Sequence, residues 1–247
     1  MATLEDNLGD GLILRAVRDA GDIERYVALS RRVVNEREGA LVERVLRHRP
    51  NQTLDDFLLV EDTRAGEIVS TTNLMPWRLR FEDVELHAAM LEMVVTHPDY
   101  RRRGLVRAQI SRFHQAVAAR SFDFSIIQGI PYYYRQFGYA YALDHQPRDI
   151  LPAHRIPDEP VCCRSRPARP DDAPLLAGLY AAGLAGAQMC VVRSADDWRY
   201  LLRAADWTVE VVEDAHGRPA GYMRCLLYTS DAADDLLCVD LGGRRII

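Results

Sequence analysis

The sequence predicts an α+β fold in which a mixed, mostly antiparallel β-sheet is flanked by helices, with the truncated start of a second such unit after it. Three observations lead to this prediction. Hairpin patterns occur early in the chain, an apolar strand then runs through a short turn into a helix, and the element order begins again after a proline-rich stretch. A length of 247 residues suits one large domain, or one complete and one partial domain of ordinary size.

The elements before residue 97 follow from the change between helical and strand periodicity. Two helices are indicated, the first beginning at a capping aspartate and the second ending before a proline. Two strand pairs follow, because apolar runs flank clusters of turn residues. In order, we predict a strand at 11–17, a helix from Asp19 or Asp22 to about Asn35, a helix at 40–47, a hairpin of 56–61 with 67–74, and a pair of 79–81 with 86–96.

A strand, a turn and a helix within residues 91–119 organise the rest of the chain. The apolar strand ends before Pro98, the turn carries three consecutive arginines and Gly104, and apolar residues at helical spacing continue to Ala119. Such a turn directs unpaired backbone N–H groups and the positive end of the helix dipole toward one point. The segment therefore predicts an anion site, for which phosphate is the usual ligand.

Two motifs in this region resemble those of a known family. The turn Arg101-x-x-Gly104-x-Val106 is similar to the pyrophosphate loop, Gln/Arg-x-x-Gly-x-Gly/Ala, of the GNAT (GCN5-related) N-acetyltransferase superfamily. After the next predicted strand, at 122–127, residues 133–139 resemble the family signature Phe-Tyr-x-x-x-Gly-Phe. A last strand is predicted after Tyr139, to about Leu143. The chain departs from the first motif at Val106, where the family has a small residue. The resemblance covers about residues 12–145.

The resemblance implies a cosubstrate, acetyl-CoA, whose acyl group passes directly to an amine. It also implies that backbone amides near Val94 and Val95 pair with the pantetheine arm and help to polarise the thioester carbonyl, and that Tyr134 protonates the departing thiolate. The cofactor-binding residues expected on this basis are Met93, Val94, Val95, Arg101, Arg102, Arg103, Gly104, Leu105 and Val106.

Two side chains are candidates for proton transfer, and each has a structural alternative. A phenol with a pKa of about 10 suits Tyr134 to protonate a thiolate, whereas the alternative is an aromatic residue that only packs on the sheet. Glu92 is the candidate general base, directly or through water, because a carboxylate in an apolar strand is partly desolvated and its pKa is raised. An ion pair between Glu92 and an arginine at the sheet opening is an equally open alternative.

Composition and charge exclude several classes of function. A net charge of −5 gives no basic footprint for nucleic acid, and no long uncharged apolar run suggests a signal peptide or a membrane span. The five cysteines lack the spacing of a disulfide framework or a metal site, so we expect no metal and a cytoplasmic location. The acceptor amine, whether on a small molecule or a peptide, and the oligomeric state cannot be read from the sequence.

A second copy of the first elements follows a linker. Residues 166–173 parallel residues 15–22, and residues 209–220 parallel residues 58–69, at the same sequence offset. This arrangement resembles tandem GNAT proteins. We therefore predict a GNAT acetyltransferase domain at 1–146, a linker at 147–161, the N-terminal part of a truncated second GNAT-like domain at 162–224, and a tail at 225–247.

The tail, residues 225–247, resembles translated sequencing-adapter sequence. Residues 225–235 are similar to a translation of the end sequence used in transposase-based libraries, and residues 238–247 to the outer adapter of the same kit. We expect the tail to be non-native, and it is excluded from the prediction of the fold.

The sequence thus predicts an acetyl-CoA-dependent N-acetyltransferase. Two alternatives stay open: a non-catalytic acyl-CoA-binding half of a larger tandem protein, and a structural domain of the same fold without a ligand. The intact turn from Arg101 to Gly104 argues against the purely structural alternative.

Overall fold

A computed structural model describes residues 5–130, 132–142, 163–203, 207–226 and 239–241. The chain divides into two compact units. The first comprises the chain up to Arg78 together with Leu86–Tyr141, and the second comprises Leu79–Glu85 together with the chain after Tyr141. The predicted linker at 147–161 lies outside the described residues.

The first unit contains most of a sheet whose six strands lie side by side in sequence order. The strands are β1 (Asp6–Gly9), β2 (Leu12–Ala16), β3 (Phe57–Asp62), β4 (Glu67–Phe81), β5 (Val84–Thr96) and β6 (Phe124–Ile126). The pairs β1–β2, β2–β3 and β3–β4 are antiparallel, and β5–β6 is parallel. The paired ends of β4 and β5, residues 79–85, belong to the second unit. Together with its helices, this mixed sheet confirms the predicted α+β fold.

Three helices accompany this sheet: α1 (Ala20–Val33), α2 (Glu36–His48) and α3 (Leu105–Ala119). The backbone amide of Asp22 donates a hydrogen bond to the side chain of Asp19, which identifies Asp19 as the cap of α1. Asn35 caps α2 in the same way, by accepting from the Glu38 amide. The helices α1 and α3 and the first hairpin confirm the sequence prediction closely.

The α3 helix is held on the sheet by a hydrophobic cluster. Ile110 and Phe113 of α3 are buried against Leu74 of β4 and against Ala89 and Leu91 of β5. Burial of each large apolar side chain contributes about 2 to 3 kcal/mol. This packing fixes the N-terminus of α3 relative to the end of β5, which is the part of the fold that the candidate site uses.

Three local predictions differ from the structure. Residues 79–81 are not a separate strand, because β4 continues without a break to Phe81. The strand β1 was not expected, since its four residues contain a single apolar side chain. The strand predicted after Tyr139 is not formed at residues 139–142, the described part of that segment, where the Tyr141 hydroxyl instead accepts a hydrogen bond from the Tyr132 amide.

The second unit contains a separate four-stranded antiparallel sheet in the order β11-β10-β9-β7. Its core includes the fully buried Leu176, Trp198 and Val211. A further strand, β8, pairs with residues 79–81 at the end of β4. The elements are β7 (Arg164–Pro167), α4 (Ala173–Gly183), β8 (Met189–Val191), α5 (Ala195–Leu202), β9 (Trp207–Glu213), β10 (Pro219–Leu226) and β11 (Val239–Leu241).

The two units contain the same arrangement of ion pairs. In the first, Arg15 of β2 donates through both terminal nitrogens to Asp22 and through Nε to Glu61, at 3.0 Å for the Nε contact. In the second, Arg166 of β7 donates to Asp172 at 2.8 and 2.9 Å and through Nε to Glu213 at 2.8 Å. Asp172 and Glu213 correspond to Asp22 and Glu61. Each lies one residue away from the position that the offset between Arg15 and Arg166 would give it.

The register of the strands repeats in the same way. Glu61 is paired with the residue two before Arg15, and Glu213 with the residue two before Arg166. The β2–α1–α2–β3–β4 order of the first unit therefore parallels the β7–α4–α5–β9–β10 order of the second, with β8 as an addition. Within the described ranges, no helix combines the length and the apolar character that crossing a bilayer requires.

Candidate functional site

The last two strands of the first sheet separate near the candidate site. The strands β5 and β6 pair only over Ala88–Met90 and Phe124–Ile126. β6 then ends, whereas β5 continues to Thr96. Within the described residues, the edge of β5 that faces β6 therefore has no strand partner after Met90, up to the end of β5 at Thr96. Unpaired backbone groups at such an edge can pair with an extended ligand.

A backbone irregularity lies in this same part of β5. Met93 has φ +54°, a left-handed conformation that costs a residue with a side chain about 1 kcal/mol. It also interrupts the regular alternation of side chains between the two faces of the sheet. Leu91 and Val94 both pack on the cluster beneath α3, although residues three apart in a regular strand lie on opposite faces. Met93 and Val95 are buried and Val94 packs on this cluster, so the side chains of the three predicted residues face the protein. The Met93 and Val95 carbonyls accept hydrogen bonds from Thr71 and Ser70 of β4.

The predicted phosphate-binding turn has the backbone geometry of an anion site. A single 3-10 turn, Pro98–Tyr100, precedes it, and Arg102 and Gly104 have φ values of +63° and +77°. Gly104 caps α3 without a side-chain hydrogen bond, so the first amides of α3 have no side-chain partner. Left-handed residues in such a turn make successive N–H groups converge, as in anion-binding nests.

The turn forms one wall of a cleft with a volume of about 330 Å³. The opposite wall is a 3-10 helix, Tyr133–Phe137, which contains the second sequence motif. Arg107 joins the walls at one point by donating a 2.8 Å hydrogen bond to Gln136 Oε1. The cleft is lined by Thr96, Tyr100, Arg101, Arg102, Gly104, Leu105, Val106, Arg107, Tyr133, Gln136 and Phe137.

The three arginines of the turn do not occupy equivalent places. Arg101 and Arg102 line the cleft. Arg103 instead lies over the ring of Tyr100, 4.7 Å from its centroid, and donates to the Asp99 carbonyl at 3.2 Å. Tyr100 in turn donates to Asp62 at 2.9 Å. Arg103 therefore supports the turn and adds positive potential, while Arg101 and Arg102 are the two that a ligand in the cleft would meet.

Tyr134 belongs to the 3-10 helix and packs, partly buried, against the cluster beneath α3. Its ring contacts Tyr133 at 5.0 Å and Tyr139 at 6.1 Å between centroids, both edge to face. Gly129 leaves room for it, because a Cβ on Gly129 would come within 2.3 Å of the Tyr134 ring. Burial, with smaller effects from Tyr133, Tyr139 and Glu92, raises the pKa of Tyr134, so its hydroxyl remains protonated at neutral pH.

Glu92 is a half-buried carboxylate on β5, next to the irregular Met93. Burial raises the pKa of Glu92; the Met93 amide, which donates to this carboxylate, and the charge of Arg49 act in the opposite direction, and the charge of Glu38 adds to the rise. Both features considered from the sequence are therefore present, a desolvated carboxylate and a nearby arginine. The electrostatic effect of Glu92 on Tyr134 indicates that the two candidate groups share one region.

Six of the residues that line the cleft were not among the predicted site residues: Thr96, Tyr100, Arg107, Tyr133, Gln136 and Phe137. Thr96 ends β5 and Gln136 occupies a variable position of the second motif, so neither has a residue-type signal. Tyr100 could have been noticed, since an aromatic residue beside an arginine run offers a surface for stacking. Among the described residues, no group of histidine, cysteine, aspartate and glutamate side chains could hold a metal ion.

Comparisons with known proteins agree with this arrangement. The sequence profile of the Acetyltransferase (GNAT) domain matches residues 14–142. A search of curated proteins finds no significant match.

Solved structures resemble the chain in fold. A conserved protein of unknown function from Enterococcus faecalis V583, described as a probable N-acyltransferase, has a TM-score of 0.63 and 15% identity, over 88% of this chain and 55% of that one. A Saccharomyces cerevisiae N-myristoyltransferase with bound myristoyl-CoA has a TM-score of 0.66 and 11% identity, over 90% and 58%. The chain thus spans a little over half of the length of these structures.

The profile match covers more than half of the chain and contains both motifs, the cleft and the splayed strands. The chain belongs to the GNAT acetyltransferase family.

Proposed function

We propose that the chain transfers an acetyl group from acetyl-CoA directly to a primary amine on a small molecule or a peptide. The observation that carries this proposal is the cleft in which an anion-binding turn faces the Tyr133–Phe137 helix beside the open edge of β5. Such a cleft suits a long, anionic cosubstrate: the turn binds a pyrophosphate, and an extended arm pairs with the strand edge.

The proposed binding residues divide by the part of the cosubstrate that they meet. Arg101, Arg102 and the amides of Gly104, Leu105 and Val106 bind the pyrophosphate, with Arg103 supporting the turn. Backbone groups of Met93, Val94 and Val95 pair with the pantetheine arm and polarise the thioester carbonyl.

In the proposed reaction the acceptor reacts as the neutral amine, its ammonium form having first lost one proton to solvent. Glu92 accepts the second proton, which nitrogen loses as it becomes an amide, directly or through water, and passes it to solvent. The amine lone pair forms a bond to the thioester carbon, and the C–S bond breaks with its electrons leaving on sulfur. Tyr134 gives its hydroxyl proton to this thiolate and recovers one from solvent. The products are an amide and free CoA, and no oxidant or reductant is consumed.

The acyl group is proposed to be acetyl because the family is named for acetyl transfer. The similar N-myristoyltransferase structure contains myristoyl-CoA, so the length of the acyl chain is a point to test. Calorimetry with acetyl-, butyryl- and myristoyl-CoA compares affinities directly. Release of free CoA thiol on a panel of aminoglycosides, polyamines and peptides then identifies the acceptor, and no thiol release above the rate of hydrolysis contradicts the proposed activity.

A second candidate is a non-catalytic acyl-CoA-binding half of a larger tandem protein. The observation that favours it is that the chain spans only 55% of the Enterococcus faecalis structure and 58% of the N-myristoyltransferase structure. This candidate binds acyl-CoA and releases no thiol with any amine. A domain with a purely structural role binds none, so calorimetry separates it from both other possibilities.

We further infer that residues 162–224 are the N-terminal part of a second GNAT-like domain after the first domain at 1–146. The repeated ion pairs of Arg15 and Arg166 and the matching strand registers support this inference. The adapter origin of the tail stays a prediction. Cys225 and Leu226 extend β10, and residues 239–241 pair with it, but residues 227–238 and 242–247 lie outside the described residues. Sequencing genomic DNA across codon 224 tests this origin, and a continuous gene encoding the tail contradicts it.

A further inference from the structure

A hydrogen-bonded relay of three polar side chains leads from the cleft into the core. Thr96 Oγ1 lies 2.8 Å from Ser70 Oγ, and Ser70 Oγ lies 2.8 Å from Gln109 Oε1. Ser70 and Gln109 are fully buried, whereas Thr96 is partly exposed and lines the cleft. The relay thus connects β5, β4 and α3 directly behind the anion-binding turn. Buried polar groups are costly unless they are paired, so the position of each proton can be worked out.

Ser70 has one proton and three neighbours that can accept it. Its Oγ lies 3.1 Å from the carbonyl oxygen of Val95, in addition to its contacts with Thr96 and Gln109. With Gln109 Oε1 facing it, Ser70 can donate to the Val95 carbonyl oxygen or to Gln109 Oε1, but not to both. Gln109 Nε2 is meanwhile buried without a partner among the described residues. The oxygen and nitrogen of such an amide are assigned from the hydrogen-bond network.

Rotating the Gln109 amide by about 180° resolves the conflict. Gln109 Nε2 then donates to Ser70, Ser70 donates to the Val95 carbonyl, and the 2.8 Å contact with Thr96 requires Thr96 to donate to Ser70. The rotation leaves the side-chain carbonyl oxygen of Gln109 without a donor instead of leaving its NH₂ group without an acceptor. The unpaired oxygen is the less costly of the two. The hydroxyl proton of Thr96 is therefore directed into the protein, and the remaining lone pair of its oxygen is available to the cleft.

The backbone of Thr96 is oriented by the same contacts. The Val95 carbonyl points toward Ser70 of β4, and the His97 amide also points toward β4, donating to the Val69 carbonyl at 2.9 Å. Because the intervening peptide is planar and trans, the Thr96 N–H points away from β4, toward the open edge of β5. Thr96 thus presents a backbone donor at the strand edge and a hydroxyl acceptor in the cleft.

We propose that Thr96 binds the cosubstrate through its side chain, its hydroxyl accepting a hydrogen bond from an N–H or O–H group of the pantetheine arm. Ser70 and Gln109 are positioning residues that hold this hydroxyl with its lone pair toward the cleft. The proposal rests on the proposed function, in that the ligand of the cleft is taken to be an acyl-CoA.

Calorimetry with two ligands tests the role of Thr96. The ligands are CoA and 3′-phospho-ADP, which keeps the pyrophosphate of CoA and lacks the arm. Thr96→Val, which preserves shape and removes the hydroxyl, is expected to weaken CoA binding about five- to tenfold and to leave 3′-phospho-ADP binding unchanged. Thr96→Ser, the matched control, retains wild-type affinity for both. Arg101→Ala weakens both ligands, because it acts on the shared pyrophosphate.

A double-mutant cycle tests the positioning role of Gln109. Gln109→Leu is expected to weaken CoA binding about threefold in the wild-type background and not at all in the Thr96→Val background, because its effect passes through the Thr96 hydroxyl. A purely structural role of Gln109 predicts the same loss in both backgrounds, and a loss for 3′-phospho-ADP as well. Thermal unfolding of each variant identifies any that fail to fold, and for these Ser70→Ala takes the place of Gln109→Leu in the cycle.

The outcomes separate this proposal from the proposed function. If the wild-type chain binds neither CoA nor 3′-phospho-ADP, the proposed function fails and this inference with it. If it binds both and Thr96→Val binds CoA as tightly as the wild type, the proposed function stands and the role of Thr96 is wrong.

Discussion

At the scale of single residues, the proposed chemistry depends most on the Tyr134 hydroxyl. Replacement by phenylalanine keeps the ring contacts with Tyr133 and Tyr139 and removes only the hydroxyl group. We expect Tyr134→Phe to lower kcat about a hundredfold or more, the usual contribution of a general acid, without changing the Kd for acetyl-CoA. Tyr132→Phe is the matched control, since it removes the hydroxyl of a neighbouring, exposed tyrosine that is not part of the cleft lining, and it should keep kcat within about twofold. Full turnover by Tyr134→Phe would remove Tyr134 from the mechanism.

Glu92 gives a prediction about pH. Its pKa is raised above the ordinary 4.5, chiefly by burial, and it acts as a base only when ionised. We therefore expect kcat/KM to fall as the pH drops through this raised pKa, in addition to any limb that the acceptor amine contributes. In Glu92→Gln, the part of this fall in kcat/KM that is due to the enzyme disappears, and kcat/KM is low at every pH. An unchanged profile in Glu92→Gln would favour the alternative in which Glu92 only pairs with Arg49.

At the scale of elements, the anion-binding turn depends on the conformation of Gly104. A Cβ at Gly104 would meet no atom within 4 Å, so substitution there costs backbone strain and no collision. We expect Gly104→Ala to weaken CoA and 3′-phospho-ADP binding together and to lower stability by about 1 kcal/mol, with Gly104→Asn intermediate because asparagine adopts φ > 0 more readily. Calorimetry and thermal unfolding measure the two effects. If Gly104→Ala bound both CoA and 3′-phospho-ADP as tightly as the wild type, these ligands would not bind at the start of α3.

Elements defined by local pattern could be predicted from the sequence, and those defined by distant partners could not. The α3 helix and its turn followed from apolar spacing and from Gly104, and the α1 cap from an aspartate at the right place. The left-handed Met93 carries no signal, because methionine is not a residue that favours φ > 0. The relay from Thr96 to Gln109 joins three elements through Ser70, so no stretch of sequence contains it.

At the scale of the whole molecule, both units have an arginine bridging two carboxylates, but with different burial. The side chains of Arg15 and Asp22 are 5% and 3% exposed, whereas those of Arg166 and Asp172 are 35% and 14% exposed. The same sequence pattern therefore does not predict the same contribution to stability. A buried charge that loses its partner keeps its desolvation penalty, whereas a more exposed one regains water.

This difference leads to a paired prediction. Burial raises the pKa of Asp22, but hydrogen bonds from Arg15, the Arg18 amide and Arg25 outweigh it and lower the pKa to about 2. Because the folded-state pKa is below the unfolded 3.8, the stabilisation is complete above about pH 4 and is lost as the pH falls toward 2. We expect Asp22→Asn to lower the free energy of unfolding of the first unit by about 3 kcal/mol at neutral pH, and to flatten its dependence on pH below 4.

The matched variant Asp172→Asn should cause a clearly smaller loss in the second unit, because its arginine remains accessible to solvent. Hydrogen exchange of the amides of α1 and α4 reports each unit separately, and so avoids treating two units as a single transition. Equal losses from the two substitutions would contradict the argument, since the deeper burial and the additional hydrogen bond from Arg25 both favour a larger loss in the first unit. A larger loss in the second unit would mean that its ion pair carries a greater share of local stability than exposure alone predicts.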